Sequence, residues 1–237
     1  MTRILHISDT HGRFDPLPNN SIHNPTFDVI VHSGDFLPNR TRGILAIEPG
    51  FQSAWLSGQV EALQKWLIRG RKHVPFLFVQ GNHDFINPCP LMQDMGIDAR
   101  NITGTVEAIG GIKFFGFADV PYFTGEWANE YSEDMITGRF APVVDMLNNC
   151  EIDVLVTHAP LYGFLDQNAR GERCGSTAIR HAFVDKILNY PKALLHGHIH
   201  ESNGMTRMYC KTNQLLISNA ATTQRIIELS ARIKRLK

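Results

Sequence analysis

The 237-residue chain holds only four cysteines, Cys89, Cys150, Cys174 and Cys210, and no two of them form a CxxC pair. That scarcity leaves out a cysteine zinc knot and a disulfide framework, and makes a reducing cytoplasm the expected compartment. Long apolar runs are missing too. No window approaches the ~18 consecutive apolar residues that suggest a membrane span. The opening MTRILHISDTHG, with Arg3 and polar residues from Ser8, lacks the apolar stretch expected of a signal peptide. Neither sign of charge is in excess: 23 Lys and Arg balance 23 Asp and Glu, a formal net charge of +0. No global field draws the chain to a polyanion, which argues against extended nucleic acid or an acidic membrane as a partner. Low-complexity tracts, internal repeats and Pro/Gly/Ser-rich linkers are absent as well. One domain over residues 1–237, with a substantial core, is therefore expected.

What the chain does contain is a series of short apolar runs, each stopped by a small or polar residue. RILHIS (3–8), FDVIVHS (27–33) and VPFLFVQ (74–80) read as buried strands. Between the second and third, Trp55, Val60, Leu63, Trp66 and Leu67 recur near helical spacing over about residues 51–69. The strand, helix, strand order predicts a parallel core. TVEAIG (105–110) and IKFFGFA (112–118), parted by Gly111, predict an antiparallel hairpin. Helices are expected over 135–148 and 176–188, and strands at IDVLVTH (152–158), KALLHGH (192–198), MTRMYC, QLLISNA and QRIIELS. Parallel units early and hairpins later suggest an α/β fold of two packed mixed sheets flanked by helices.

The residues that end these runs share one chemistry. Asp9 and His11 follow the first strand (SDTHG), Asp35 the second (HSGDF), and Asn82, His83 and Asp84 the third (GNHD). His158 ends IDVLVT (THAP), and His198 and His200 end ALLHG. In open α/β sheets the ligand crevice lies outside the carboxyl ends of the strands. Five strand ends would thus deliver acidic, amide and imidazole groups to one edge. Any one of these motifs occurs by chance; all of them, in this order and each behind an apolar run, make accident improbable. LLHGHIH (194–200) alternates His196, His198 and His200, so the three rings project from one side of an extended segment. Two divalent cations ~3.5–4 Å apart can clamp both oxygens of an in-line phosphoryl displacement, and they need a bridging carboxylate with further ligands on either side. Asp35 is the natural bridge. A mixed histidine, carboxylate and amide set favours manganese, iron, zinc or cobalt over magnesium.

DTH, GD, GNHD, TH and GHIH together resemble the calcineurin-like metallophosphoesterases, with motifs spread over residues 9–200. The resemblance implies a four-layer αββα sandwich and two divalent metals, manganese being the first choice in vitro. It puts Asp9, His11, Asp35 and His200 on the first metal and Asp35, Asn82, His158 and His198 on the second. His83 then faces the substrate as the catalytic histidine, and Asp84 orients it. A narrower similarity, in DVLVTHAPLYGFLDQNARGERCGSTAI and HGHIHESNG, is to the metallophosphoesterase-domain-containing group, whose studied members act on phosphodiesters, cyclic nucleotides included. This chain has THAP where that group commonly has THGP, and GNHD where it commonly has GNHE; neither change removes a ligand. In the protein-phosphatase branch the GD motif continues into a valine, an aspartate and a phosphate-gripping arginine, whereas GDF here continues LPNR. The expected activity is hydrolysis of a small phosphodiester, such as a cyclic nucleotide, by a hydroxide bridging the two metals. A nuclease of the same superfamily and a scaffold that keeps the fold without catalysis are the alternatives.

Other residues have plainer readings beside functional ones. His6 and His32, inside apolar strands, are expected in the hydrogen-bonded core, His23, His73 and His181 at the surface, and His196 in a supporting role beside its two neighbours. The aromatics of VPYFTGEWANEY (120–131) either pack a loop onto a sheet or wall off a planar group of the substrate, which makes Phe123 and Trp127 candidate substrate contacts. Arg170 and Arg173, downstream of His158, are candidate phosphate contacts.

Overall fold

Runs that are apolar at every position need cover on both faces, and the chain supplies it by stacking two sheets between two layers of helix. The computed structural model describes residues 1–17, 27–69, 72–209 and 213–231; His23, Cys210 and the side chain of His73 lie outside that description. Strands β1 (Thr2–Ile7) and β2 (Val29–His32) lead to helices α1 (Glu48–Ser57) and α2 (Val60–Leu67), short strands β3 (Ile68–Arg69) and β4 (Lys72–His73), and β5 (Phe76–Phe78). Helix α3 (Cys89–Asp94), β6 (Ala99–Asn101), β7 (Val106–Ile109) and β8 (Ile112–Phe117) follow. Next come β9 (Val120–Pro121), β10 (Glu130–Tyr131), α4 (Glu133–Asn148), β11 (Val154–Thr157), α5 (Thr177–His181) and β12 (Ala193–His196). Strands β13 (Gly204–Tyr209), β14 (Gln214–Asn219) and β15 (Gln224–Leu229) complete the order.

The first large sheet runs β15-β1-β2-β5-β6 and the second β13-β14-β12-β11-β8-β7. In the first, β1, β2, β5 and β6 are parallel and β15 joins β1 antiparallel. In the second, β8, β11, β12 and β14 are parallel, with antiparallel β7 and β13 at the edges. The expected parallel unit and the hairpin both form. That QRIIELS would close the first sheet rather than the second was not legible, because antiparallel pairing of remote segments leaves no local mark.

Alternation along each strand sorts side chains into three apolar layers. Ile4, Val29, Val31, Leu77 and Val79 of the first sheet meet Phe114, Val154, Val156 and Leu195 of the second between the sheets. Leu5, Ile30, Phe76 and Phe78 face outward onto Leu56, Leu63, Trp66 and Met92 of the first three helices. Leu155, Leu194 and Ile217 face the other way, onto Ile136, Phe140 and Leu147 of α4 and Ile179 of α5. The result is the αββα order of layers.

Two helical expectations need correction. The single helix over 51–69 is two, α1 and α2, because the first helix ends at Gly58, whose N–H bonds back to the Ala54 and Trp55 carbonyls. The helix over 176–188 is α5 followed by one π-type turn at Ala182–Lys186. Its start is firm: the Ser176 hydroxyl accepts from the Ile179 N–H, and the Glu133 carboxylate accepts from the Thr177 and Ala178 N–H groups. Among the described residues no helix is long and apolar enough to cross a membrane.

Leu195 has no exposed surface and lies in the layer between the sheets. Leu195→Ala should lower the free energy of unfolding by about 2–5 kcal/mol. Val106→Ala, on an edge strand at 42% exposure, should cost under about 1 kcal/mol. Urea unfolding of both variants checks this, and equal losses would contradict the layering.

Candidate metal centre

Strands from both large sheets end at the same edge, and the chain leaves them through tight turns. Asp9, His11, Asp35 and His198 all take left-handed backbone angles, with φ of 55°, 46°, 58° and 71°. Non-glycine residues held there cost about 1–3 kcal/mol each, a strain that persists where surrounding contacts overdetermine it. Here backbone bonds do so. The N–H groups of Asp9 and His11 donate to the carbonyls of Gly34 and Asp35 at 2.9 and 3.0 Å. Gly81 and Gly197 give the room: a Cβ on either would overlap the Asp35 or the Asp9 carboxylate.

Three groups of side chains gather their donor atoms within 4.8 Å of one another: Asp9, His11 and His200; His11, Asp35 and His83; and Asp35, His158 and His198. Asp35 is common to two of them. Its Oδ2 lies 3.3 Å from His158 Nε2, 3.8 Å from His11 Nε2 and 3.9 Å from His83 Nε2. Asn82 Oδ1 is 3.1 Å from His158 Nε2, so it points into the same space. Asp9 accepts from the His198 backbone N–H at 3.0 Å, and its Oδ1 lies 3.3 Å from His200 Nε2. His158 donates from Nδ1 to the Ser33 carbonyl at 2.8 Å, which leaves Nε2 as the nitrogen turned to the cluster.

A family model for calcineurin-like phosphoesterases matches residues 2–202, most of the chain and every residue of this cluster. The chain belongs to that family. It is also similar to metallophosphoesterase domain-containing protein 1 of Homo sapiens and of Mus musculus, each 25% identical over 223 residues, 86% of this chain and 62% of the relative. A UPF0046 protein of Caenorhabditis elegans is 24% identical over 231 residues, 86% of this chain and 70% of its own length. The chain thus spans less than two thirds of the human and mouse proteins. The donor set fits the divalent cations on which calcineurin-like phosphoesterases depend.

The electrostatics support that fit. Burial alone would push Asp9 and Asp35 up, yet both are held below the ordinary carboxylate value, Asp9 chiefly by its bond to His200 and Asp35 by the charge of His158. Burial alone would depress His158, yet the Asp35 charge pushes it up to about 9. Two buried carboxylates thus draw positive charge onto a histidine that has no contact with solvent, and a cation is what such a site retains.

Around this cluster several expectations hold and others do not. His6 is buried between the Ser218 and Ser33 hydroxyls, each 2.9 Å away, and His32 between the Thr10 hydroxyl and the Gly34 N–H, as expected of core histidines. His181 is exposed. His196 is buried beneath the cluster, its Nδ1 3.2 Å from the Gly197 carbonyl.

Asp84 does not orient His83. Its two oxygens are taken by the backbone N–H groups of Asp35, Phe36, Leu37 and Gly81 at 2.7–3.0 Å. The partner of the His83 ring is Asn39, with Oδ1 2.7 Å from Nδ1. No ligand spacing in LPNR marks Asn39, so sequence reasoning missed it. Trp127 lies on His83 itself, ring centroids 4.0 Å apart, which makes it a support for that ring rather than a free stacking wall. Phe123 is 81% exposed and Arg170 sits on an exposed turn; among the described residues neither is bonded to the cluster. Arg173 is paired through Nη1 with the buried Asp166 carboxylate at 2.8 Å.

The buried histidines make the metal-free protein acid-sensitive. Burial above all holds His6 well below its ordinary 6.5, His32 at about 3, and His196 and His198 at about 4. Below pH 6.5 the unfolded chain binds more protons at these groups than the folded one, so stability must fall as pH falls. Asp84, raised to about 7 by burial and by Asp35, has the opposite sign between its ordinary 3.8 and 7, and His158 and His200, both raised, oppose the fall weakly below 6.5, but the four depressed rings outweigh these three groups. The Tm of metal-free protein should therefore drop between about pH 6.5 and 5; a flat or rising Tm would contradict the neutral buried rings.

Proposed function

We propose that the protein is a phosphodiesterase for small substrates, cyclic nucleotides among them, working with two divalent cations. The observation that carries the reading is Asp35, whose carboxylate is shared by two donor groups, one with His11 and His83 and one with His158 and His198. One carboxylate so shared suits a bridge, with Asp9, His11 and His200 completing one set of ligands and Asn82, His158 and His198 the other. Cations held there would lower the pKa of water and neutralise charge on the phosphoryl oxygens. Manganese is the first to test, since the mixed donor set suits a borderline cation.

The chain's own residues do the rest. His83 Nε2 faces the cluster and is placed to give a proton to the leaving oxygen. A cavity of about 580 Å³ opens beside Asp9, His11 and His200 and is lined further by Arg13, Trp66, Thr222 and Gln224. That volume is the size of a small ligand's pocket. Balanced charge and widely spaced cysteines fit a small substrate and a cytoplasmic setting.

Screening metal-loaded protein against monoesters, linear diesters and cyclic nucleotides tests the reading; turnover of monoesters alone would defeat it. Asp35→Ala should lose both metals together, whereas His198→Ala should weaken one set, and elemental analysis distinguishes them. Two metals retained in Asp35→Ala would remove the bridge. A nuclease that neutralises several phosphates loses orders of magnitude in affinity between about 50 and 200 mM salt. For a cyclic nucleotide, KM should change by less than about threefold over that range, and oligonucleotides should be cut poorly. Efficient oligonucleotide cleavage with a steep salt slope would overturn the small-substrate reading.

A further inference from the structure

Asn39 meets His83 twice. Its Nδ2 lies 3.1 Å from the His83 carbonyl oxygen, and its Oδ1 lies 2.7 Å from the ring nitrogen Nδ1. The chemistry of these groups forces the roles. A carbonyl oxygen can only accept, so the amide NH2 must be the atom facing it. The amide oxygen then faces Nδ1, and because it too can only accept, Nδ1 must carry the hydrogen. The neutral ring therefore keeps its lone pair on Nε2, and any second proton must sit there, 3.9 Å from Asp35 Oδ2.

The ring is held against turning over. Gln52 Nε2 donates to the same His83 carbonyl at 2.7 Å, and the His83 backbone N–H donates to Asp35 Oδ1 at 2.8 Å. The Trp127 ring lies against it, and the His11 ring meets it in an edge arrangement at 5.0 Å. Trp127 is itself tethered, because the next residue, Ala128, donates its N–H to the Asn82 carbonyl at 2.9 Å and Asn129 Nδ2 donates to the Gly81 carbonyl at 3.0 Å.

We propose that Asn39 is the positioning residue of His83: it keeps one ring proton on Nδ1 and so reserves Nε2 for the proton that passes to the leaving oxygen. The inference rests on the phosphohydrolase reading above. As an attacking hydroxide oxygen forms its bond to phosphorus, the phosphorus–oxygen ester bond breaks and its electron pair goes to the leaving oxygen. The Nε2–H bond breaks, a new O–H bond forms, and His83 is left neutral with its remaining hydrogen still bonded to Asn39. A neutral amide in this place orients the ring without adding a negative charge that would hold the second proton back.

Asn39→Leu keeps the bulk and removes both bonds. For a diester with an alkoxide leaving group, kcat should fall by about 10- to 100-fold, a part of the 10²- to 10⁴-fold that a positioned acid contributes. KM should stay within about twofold, and the loss should shrink for a nitrophenolate leaving group, which needs no proton. Asn39→Asp, which keeps the acceptor at Nδ1 but adds a negative charge that holds the second proton back, should restore the Nδ1-protonated tautomer and recover only part of the rate. In a His83→Ala background Asn39→Leu should cost nothing more, because a residue acting only through His83 has nothing left to position. Nitrogen-15 spectra of histidine-labelled, metal-free protein give a readout apart from turnover. The His83 signals, identified by their loss in His83→Ala, should show Nδ1 protonated in the natural chain and a tautomer mixture in Asn39→Leu. An added loss in the His83→Ala background, equal losses for both leaving groups, or a neutral His83 protonated at Nε2 would each overturn the proposal. If the natural protein hydrolyses no phosphoester, the enzymatic reading fails by itself, while the spectra still decide the Asn39 bond.

Discussion

The cluster depends on the Asp84 carboxylate, which gathers the backbone N–H groups of Asp35, Phe36, Leu37 and Gly81. Buried amides without partners cost about 1–3 kcal/mol each, so a carboxylate that serves four of them fixes the conformation of both loops it touches. One loop ends β2 and carries Asp35; the other ends β5 and carries Asn82 and His83. Their relative position is thereby set before any ligand arrives. The left-handed turn at Asp35 is held in place by the same bonds.

A second constraint comes from the stacking of the two sheets. Asp9, His11, Asp35, Asn82 and His83 follow strands of the first sheet, and His158, His198 and His200 follow strands of the second. How closely the two halves of the cluster approach is thus set by the packing of the apolar layer that holds Ile4, Val31, Val156 and Leu195. Polar bonds cross the same gap: His158 to the Ser33 carbonyl, and His6 between the Ser33 and Ser218 hydroxyls. Close packing and these buried bonds hold the donor atoms in register, which is the preorganisation that metal-assisted hydrolysis requires.

Shape and charge follow from these two constraints. Asp9 and Asp35 are forced together without solvent, so positive charge accumulates on His158 and the site favours a cation. The cavity beside Asp9, His11 and His200 opens at the end of β1, with Thr222 and Gln224 along its wall. Thr222 is a β-branched residue at a φ of 56°, a further instance of strain located at the same edge.

The sequence by itself determined the kind and order of the groups at the site. Asp9, His11, Asp35, Asn82, His83, His158, His198 and His200 each follow an apolar run, and such runs, buried on both faces, are strands whose carboxyl ends share an edge. It also determined the hairpin at Gly111 and the buried places of His6 and His32, since these depend on neighbours in the chain. Only the tertiary structure decided what touches what. Asp84 turned from His83 to four amides, Asn39 took its place, Trp127 came to rest on the imidazole, and Arg173 was taken by Asp166. The physical reason is that hydrogen bonds are directional over about 3 Å. Their partners are chosen by how remote loops dock, to which residue spacing is blind.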